Sequence, residues 1–241
     1  MQYGDIVQLG RHRLMCGDAT SYDDIEALLD GRKVDLVLTD PPYGVKCHSG
    51  YYRFKKAWGN MKPRCESYNP NTYNAKMIGD TSTDTARAYW DVSQCLTDKH
   101  IIWGGQYFTD FLPPKKGWLV WGKRQSLYNH SQCELAWTSL HTNIKYYEQL
   151  WSGACRAGSH ILNPRPALCL TQKPVELHAR ILEDFTQEGN LILDCFGGSG
   201  TTLIACEISN RTCCMMELSP DYCNVIVNRY ISLTQGSLML Q

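Results

Sequence analysis

The chain has 241 residues, 43% hydrophobic and 20% charged, which excludes a disordered or collagen-like polymer and suffices for one domain, 1–241, with a real core. No run of about eighteen apolar residues occurs, so no spanning helix is expected; Met1–Asp5 lacks the layout of a secretory leader, so a cytoplasmic location is expected. The zero net charge hides an asymmetry: residues 41–180 hold eighteen Lys/Arg against nine acids, while both ends are acidic. Twelve cysteines include no Cys-x-x-Cys pair, so reduced thiols packed as small hydrophobes are expected, with no metal.

Ile6–Leu9 and Arg13–Cys16 flank Gly10 and read as a short hairpin. Ser21, with Asp24 three residues on, caps a helix to about Asp30 that buries Ile25, Leu28 and Leu29. Val34–Thr39 is a strand running into Asp40-Pro41-Pro42-Tyr43, where two prolines stop both pairing and helix. Residues 44–80 show no period. From Pro41 to Cys65 there are six basic residues (Lys46, Arg53, Lys55, Lys56, Lys62, Arg64), no acid, and four interleaved aromatics. That combination suits tracking phosphates and stacking bases, and equally suits a solvated loop.

A helix is expected near Asp84–Leu96, then strands at His100–Trp103, Trp118–Trp121 and Cys133–Trp137, with Trp103, Trp121 and Trp137 in the core. Residues 139–172 are ambiguous. Pro174 opens a helix at its first position, with Leu177, Ile181, Leu182 and Phe185 as the apolar stripe. Leu191–Asp194 is a strand, Gly197–Gly200 a tight turn, Thr201–Ser209 a helix and Thr212–Glu217 a strand. Ser219-Pro220-Asp221 then caps a closing helix to about Leu233. This alternation predicts an α/β fold with a parallel sheet covered on both faces.

Two loops carry chemistry. Asp194-Cys195-Phe196-Gly197-Gly198-Ser199-Gly200-Thr201-Thr202 joins a strand to a helix, where glycines let a ligand approach the backbone. A dinucleotide fold is the rival reading, but the third glycine of its fingerprint is Leu203 here, and no Gly-Lys-Ser/Thr follows for a P-loop. Glu217, 23 residues after Asp194, ends the next strand where a carboxylate can accept both hydroxyls of a ribose. A nucleoside derivative without a pyrophosphate fits. In the second loop, diproline aims the Asp40 carboxylate and the Pro41 carbonyl at one point, two acceptors for a primary amine, with Tyr43 able to stack on a heterocycle.

Taken together, these loops resemble the S-adenosylmethionine-dependent amino-methyltransferases of DNA bases, with Asp40-Pro41-Pro42-Tyr43 as the catalytic motif and Phe196–Gly200 as the cofactor motif. The catalytic motif comes first, the circularly permuted order of the β group, and small phage or plasmid members are similar. Gly17-Asp18 and Gln172-Lys173-Pro174 match in the same order. The resemblance implies a doubly wound, mostly parallel, Rossmann-like methyltransferase sheet. It implies catalytic roles for Asp40, Pro41, Pro42 and Tyr43, and a cofactor site of Asp18, Asp40, Lys173, Pro174, Asp194, Phe196, Gly197, Gly198, Ser199, Gly200, Thr201, Glu217 and Leu218. In it Phe196, Gly198 and Gly200 would line the methionine and ribose, Glu217 would hold the ribose, Asp18 would meet the adenine amine, and Lys173 and Pro174 would border the methionine.

The reaction so implied is methylation of N6 of a flipped-out adenine, without metal or a base of raised pKa. Asp rather than Ser at position 40 goes with adenine over cytosine N4 in this family, and N4-cytosine or RNA targets stay open. Residues 44–80, with their six basic side chains, are expected to contact DNA. Residues 139–165 (Lys145, Arg156, His160, Arg165) are expected to form a short target-recognition segment, and Lys115, Lys116, Lys123 and Arg124 to offer phosphate contacts. Both segments are short, which points to a brief target or a homodimer, in a bacterial or phage restriction-modification setting.

Overall fold

The computed structural model of the chain describes residues 1–46, 78–125, 131–152, 155–159, 162–163 and 172–238. The expected hairpin forms from β1 (Ile6–Leu9) and β2 (His12–Cys16). The Ser21 hydroxyl accepts from the Asp24 N–H and caps α1 (Tyr22–Leu29), which stops at left-handed Asp30. Strand β3 (Leu36–Thr39) is buried throughout. Helix α2 (Asp84–Ser93) ends three residues earlier than the sequence pattern suggests, and β4 (His100–Trp103) follows, then a 3-10 turn at Gly105–Tyr107. Next come β5 (Trp118–Gly122) and β6 (Cys133–Thr138).

The ambiguous stretch supplies β7 (Lys145–Glu148) and a separate ladder of β8 (Trp151–Ser152) with β9 (Cys155–Arg156). Pro174 is the N-cap of α3 (Val175–Phe185) and not its first helical residue, because its ψ of 136° is extended. The last third is β10 (Leu191–Asp194), α4 (Thr201–Ile208), β11 (Thr212–Glu217) and α5 (Pro220–Leu238). Helix α5 runs five residues past the expected end.

The sheet order is β1-β2-β11-β10-β3-β4-β6-β5-β7, and only β1 and β6 run against the others. Alternation sorts the strands onto two faces. Leu36, Leu38, Ile192, Ile101 and Trp103 pack with Leu177, Ile181, Leu203 and Ile226 from α3, α4 and α5. Val37, Leu193, Cys214 and Met216 face Ile25, Leu28 and Tyr89 from α1 and α2. Both faces are covered, so the central strands can be apolar at every position. Trp103, Trp121 and Trp137 are core residues, as expected. Six of the eight cysteines described as free are buried. No described helix is long and apolar enough to cross a membrane.

This winding positions the site. From β3 the chain leaves through α2 on one face to β4; from adjacent β10 it leaves through α4 on the other face to β11. Connections that depart in opposite directions open a crevice at the carboxyl ends of the two strands. Asp40 and the glycine turn both begin there.

Candidate active site

Strand β3 pairs with β10 in parallel, Leu36 opposite Ile192 and Val37 opposite Leu193, a register that carries Asp40 out of the sheet beside Phe196. The Thr39 hydroxyl donates to Asp194 Oδ1 at 2.8 Å, tying the two strand ends together below the crevice. Asp194 also accepts from the Phe196 N–H at 3.1 Å and from the Thr202 hydroxyl at 2.5 Å. Burial pushes its carboxyl up to about 6, and these three donors oppose the shift. Asp194 thus turns inward and holds the glycine turn from beneath.

The turn itself is closed by Gly200 N–H on the Gly197 carbonyl at 2.7 Å. A Cβ on Gly197 would lie 2.9 Å from the Met215 side chain, whereas Gly198, at φ 52°, has nothing within 4 Å of such a position. The loop is packed on its inner side and open at Gly198. Arg229 secures the Ser199 carbonyl at 2.8 Å, and Thr201 donates to the Lys173 carbonyl at 3.1 Å.

Glu217 ends β11 beside this turn. Its carboxylate accepts from Gly198 N–H at 2.7 Å and Ser219 N–H at 2.9 Å, but burial prevails and raises its pKa to about 7. Leu218 beyond it is exposed. Strand β2 lies alongside, Cys16 opposite Glu217, so Asp18 follows within the same rim. One Asp18 oxygen accepts from the Thr20 N–H and hydroxyl, both at 2.8 Å; the other takes no hydrogen bond among the described residues.

At Asp40, Tyr43 donates to Oδ1 at 2.5 Å and Lys173 is ion-paired with Oδ2. Burial and the Asp40 charge hold the Tyr43 hydroxyl well above the usual range, so it stays a donor. Its ring stacks on Tyr107 at 5.1 Å and lies flat against Gly104, whose φ of 75° leaves room where a Cβ would come within 2.1 Å of it. Tyr43 was expected as a stacking surface for a base; in the fold its ring packs on Tyr107 and its hydroxyl orients the Asp40 carboxylate. Among the described residues, no donor takes the Pro41 carbonyl.

Lys173 was placed with Pro174 on the cofactor side, yet it spans both loops: its carbonyl is held by Thr201 and its ammonium reaches Asp40, Tyr43 at 3.3 Å and Glu134 at 3.1 Å. Burial opposes the buried ammonium, but the Asp40 and Glu134 carboxylates outweigh it and hold its pKa well above the ordinary value. Glu134, from β6, was missed in the sequence. Burial opposes its charge too, and Lys173 and Lys123 together keep its pKa low. Lys123 and Arg124, expected to face phosphates, are instead paired with Glu134 and with Glu148 at 3.4 Å.

A buried polar chain was also missed. The Trp103 indole can only donate, so His178 Nε2, 3.1 Å away, must accept. His178 Nδ1 therefore carries the proton and donates to Thr202 Oγ1 at 3.1 Å, and Thr202 passes its own proton to Asp194.

Of the residues expected to contact DNA, only Lys46 falls among the described residues; Arg53, Lys55, Lys56, Lys62 and Arg64 lie outside them, as do His160 and Arg165. Asp80 accepts from Gly44 N–H at 2.9 Å and Val45 N–H at 3.2 Å, so the two described ends of the segment 44–80 meet beside the Asp40–Tyr43 loop. Among the described residues no His/Cys/Asp/Glu cluster could hold a metal.

A family model described as DNA methylase matches residues 119–228. The Type II methyltransferase M2.MboI of Moraxella bovis is 30% identical over 242 residues, covering 88% of this chain and 85% of the relative. Among solved structures, the putative DNA modification methylase TTHA0409 of Thermus thermophilus, complexed with S-adenosyl-L-methionine, superposes with a TM-score of 0.52 at 18% identity, covering 93% of this chain and 95% of its own. The PvuII DNA methyltransferase, cytosine-N4-specific, gives 0.56 at 14%, covering 97% and 94%. These last two share the fold.

The polar chain sets a measurable state. Burial, aided by Lys173 and Arg229, lowers the His178 pKa to about 3. Imidazole ¹⁵N spectra should show one neutral tautomer, protonated on Nδ1, unchanged between about pH 8 and pH 5, where an ordinary histidine would titrate near 6.5. A titration in that window would contradict the assigned direction of the chain.

Proposed function

We propose a specific reaction for this chain, which belongs to the DNA methylase family of the Type II methyltransferases: transfer of a methyl group from S-adenosylmethionine to the N6 amine of an adenine in DNA. The observation that carries this reading is the meeting of Asp40 and the glycine turn at one crevice, fastened by the Thr39–Asp194 hydrogen bond. When bound, S-adenosylmethionine supplies a methyl group on a sulfonium, so no covalent bond to the protein is needed.

The residues present fit that cofactor. The open face at Gly198 lets a ligand reach the backbone, and Phe196 and Gly200 border it. Glu217 can accept from ribose hydroxyls, and the second Asp18 oxygen can accept from the cofactor's adenine amine. Gly197, Ser199, Thr201 and Asp194 give the turn its shape, Pro174 closes the methionine side, and Leu218 covers the outer edge.

At the other end, Asp40 and the Pro41 carbonyl accept the two N–H groups of the target amine. Its lone pair is delocalised into the ring; holding both protons favours the pyramidal nitrogen that attacks, and near-attack positioning does most of the work. Pro42 keeps the two acceptors rigid and Tyr43 fixes Asp40 Oδ1. The base must leave the helix to reach this point. Lys46 and the other basic residues of 44–80 are proposed as phosphate contacts, since that segment starts at the catalytic tyrosine, and 139–165, which includes β7, as a target-reading segment. Asp40, in the place where cytosine-N4 members of the resembling family carry serine, supports adenine.

Incubation with methyl-labelled S-adenosylmethionine and unmethylated mixed DNA, followed by digestion to nucleosides, should label N6-methyldeoxyadenosine. Label in N4-methyldeoxycytidine would overturn the adenine choice, and label confined to RNA would overturn the substrate. Asp40→Ala should lower transfer by about a thousandfold while calorimetric cofactor affinity stays within about twofold. Equal loss of both would count against the role given to Asp40.

The raised pKa of Glu217 sets a pH dependence. Ribose hydroxyls donate to the ionised carboxylate, and the proton competes with them below about 7. Cofactor affinity should therefore hold above that pH and weaken as pH falls through it, by up to about tenfold per unit. Glu217→Gln should bind more weakly at pH 8 with a flat profile.

A further inference from the structure

Both oxygens of Asp40 already have donors: Oδ1 takes the Tyr43 hydroxyl and Oδ2 the Lys173 ammonium. Each oxygen can accept a second hydrogen bond, but an ammonium ion-paired to Oδ2 competes with the amine of an extruded base for the same charge and space, so the grip that the proposed reaction requires is strongest when one donor draws back. Tyr43 is the fixed one. Its ring packs against the turn of Gly104, Tyr107 and Phe108, stacked on Tyr107 at 5.1 Å and edge-on to Phe108 at 6.2 Å. Lys173 carries three donors on a flexible stem, and two of its neighbours besides Asp40 are in place, Tyr43 and Glu134.

Glu134 is itself rigidly held. It is the second residue of β6, opposite Trp121 in the β5 ladder, and its Oε1 is engaged by Lys123, which lies 4.9 Å from the Trp121 ring centre. The other oxygen, Oε2, faces Lys173 at 3.1 Å. The four groups form a row of alternating sign, Lys123, Glu134, Lys173, Asp40, in which Lys173 is almost fully buried. An ammonium at that depth cannot simply lose its anion. It can be handed to another.

We infer that Glu134 is a positioning residue that receives the Lys173 ammonium when the target amine takes its place on Asp40 Oδ2. The row stays balanced throughout, and the carboxylate is released to the base without leaving a buried charge unpaired. With glutamine at 134, Lys173 would have one anion in reach and would stay clamped to Asp40, so the base would have to displace an unshared ion pair.

This inference rests on the proposed reaction, and the experiment separates the two. Single-turnover methyl transfer to unmethylated genomic DNA, at saturating cofactor and DNA, is measured for the wild type, Glu134→Gln and Glu134→Asp, with cofactor and DNA affinities and melting temperatures alongside. Glu134→Gln should slow transfer by about tenfold with both affinities within about twofold of wild type, and Glu134→Asp, which keeps the charge, should recover most of the rate. If Glu134→Gln does not fold, Glu134→Asp carries the test, with a smaller loss of rate at unchanged affinities. An active wild type with both variants equally fast overturns the inference alone. So does a glutamine variant whose loss lies wholly in cofactor or DNA affinity. A wild type that transfers no methyl group to DNA overturns the reaction, and the inference with it.

Discussion

The parallel pairing of β3 with β10 is the constraint on which the rest depends. These strands are 155 residues apart at the Thr39–Asp194 contact, yet that hydrogen bond is 2.8 Å long and buried. It fixes where the diproline loop starts relative to the glycine turn, and the opposed crossovers through α2 and α4 keep the space above it open. A shift of one residue in this register would turn Val37 and Leu38 to the wrong faces and carry Asp40 away from the turn.

Around that joint the protein buries charge in two different ways. Asp194 and Glu217 are taken out of water among neutral donors, so burial prevails and their pKa values rise to about 6 and about 7. Asp40, Glu134, Lys173 and Lys123 are taken out together, with opposite charges adjacent, and for Glu134 and Lys173 mutual attraction prevails over desolvation. The first arrangement leaves carboxyl groups sensitive to pH beside the glycine turn. The second keeps Glu134 and Lys173 ionised beside the Asp40 loop. Lys173 belongs to both, through a carbonyl held by Thr201 and an ammonium at Asp40.

Much of the fold was legible because the signals were local. Apolar runs ending in Asp-Pro-Pro or in Phe-Gly-Gly mark strand ends, and the Ser21 cap and the α3 stripe lie within one or two turns of the residues that reveal them. The catalytic and cofactor loops were visible for the same reason. What escaped was set by distant pairing. Strand β7, with Tyr146 exposed and exposed Ile144 just before it, has no pattern that distinguishes an edge strand from a loop until β5 is there to receive it. Glu134 reads as one acid in an apolar strand; its meaning comes from the β5–β6 register, which sets it opposite Trp121 and near Lys123, and from Lys173 thirty-nine residues on. His178 interrupts the apolar stripe of α3, and only its meeting with Trp103 and Thr202 gives it a tautomer and a task. The misreading of Lys123 and Arg124 as phosphate contacts has the same origin, since their partners Glu134 and Glu148 come from two other strands.

Strand β6 runs against its neighbours, and this has a mechanical result. Its first residues stand on the functional rim, while its last are fastened at the opposite one, where Thr138 donates to the His100 carbonyl at 2.9 Å and the Ser139 hydroxyl holds the His100 N–H at 2.8 Å. The strand therefore links an end anchored at His100 to the rim where Glu134 stands between Lys123 and Lys173, so a substitution at Thr138 or Ser139 would act on the seating of a strand whose other end carries that charged row.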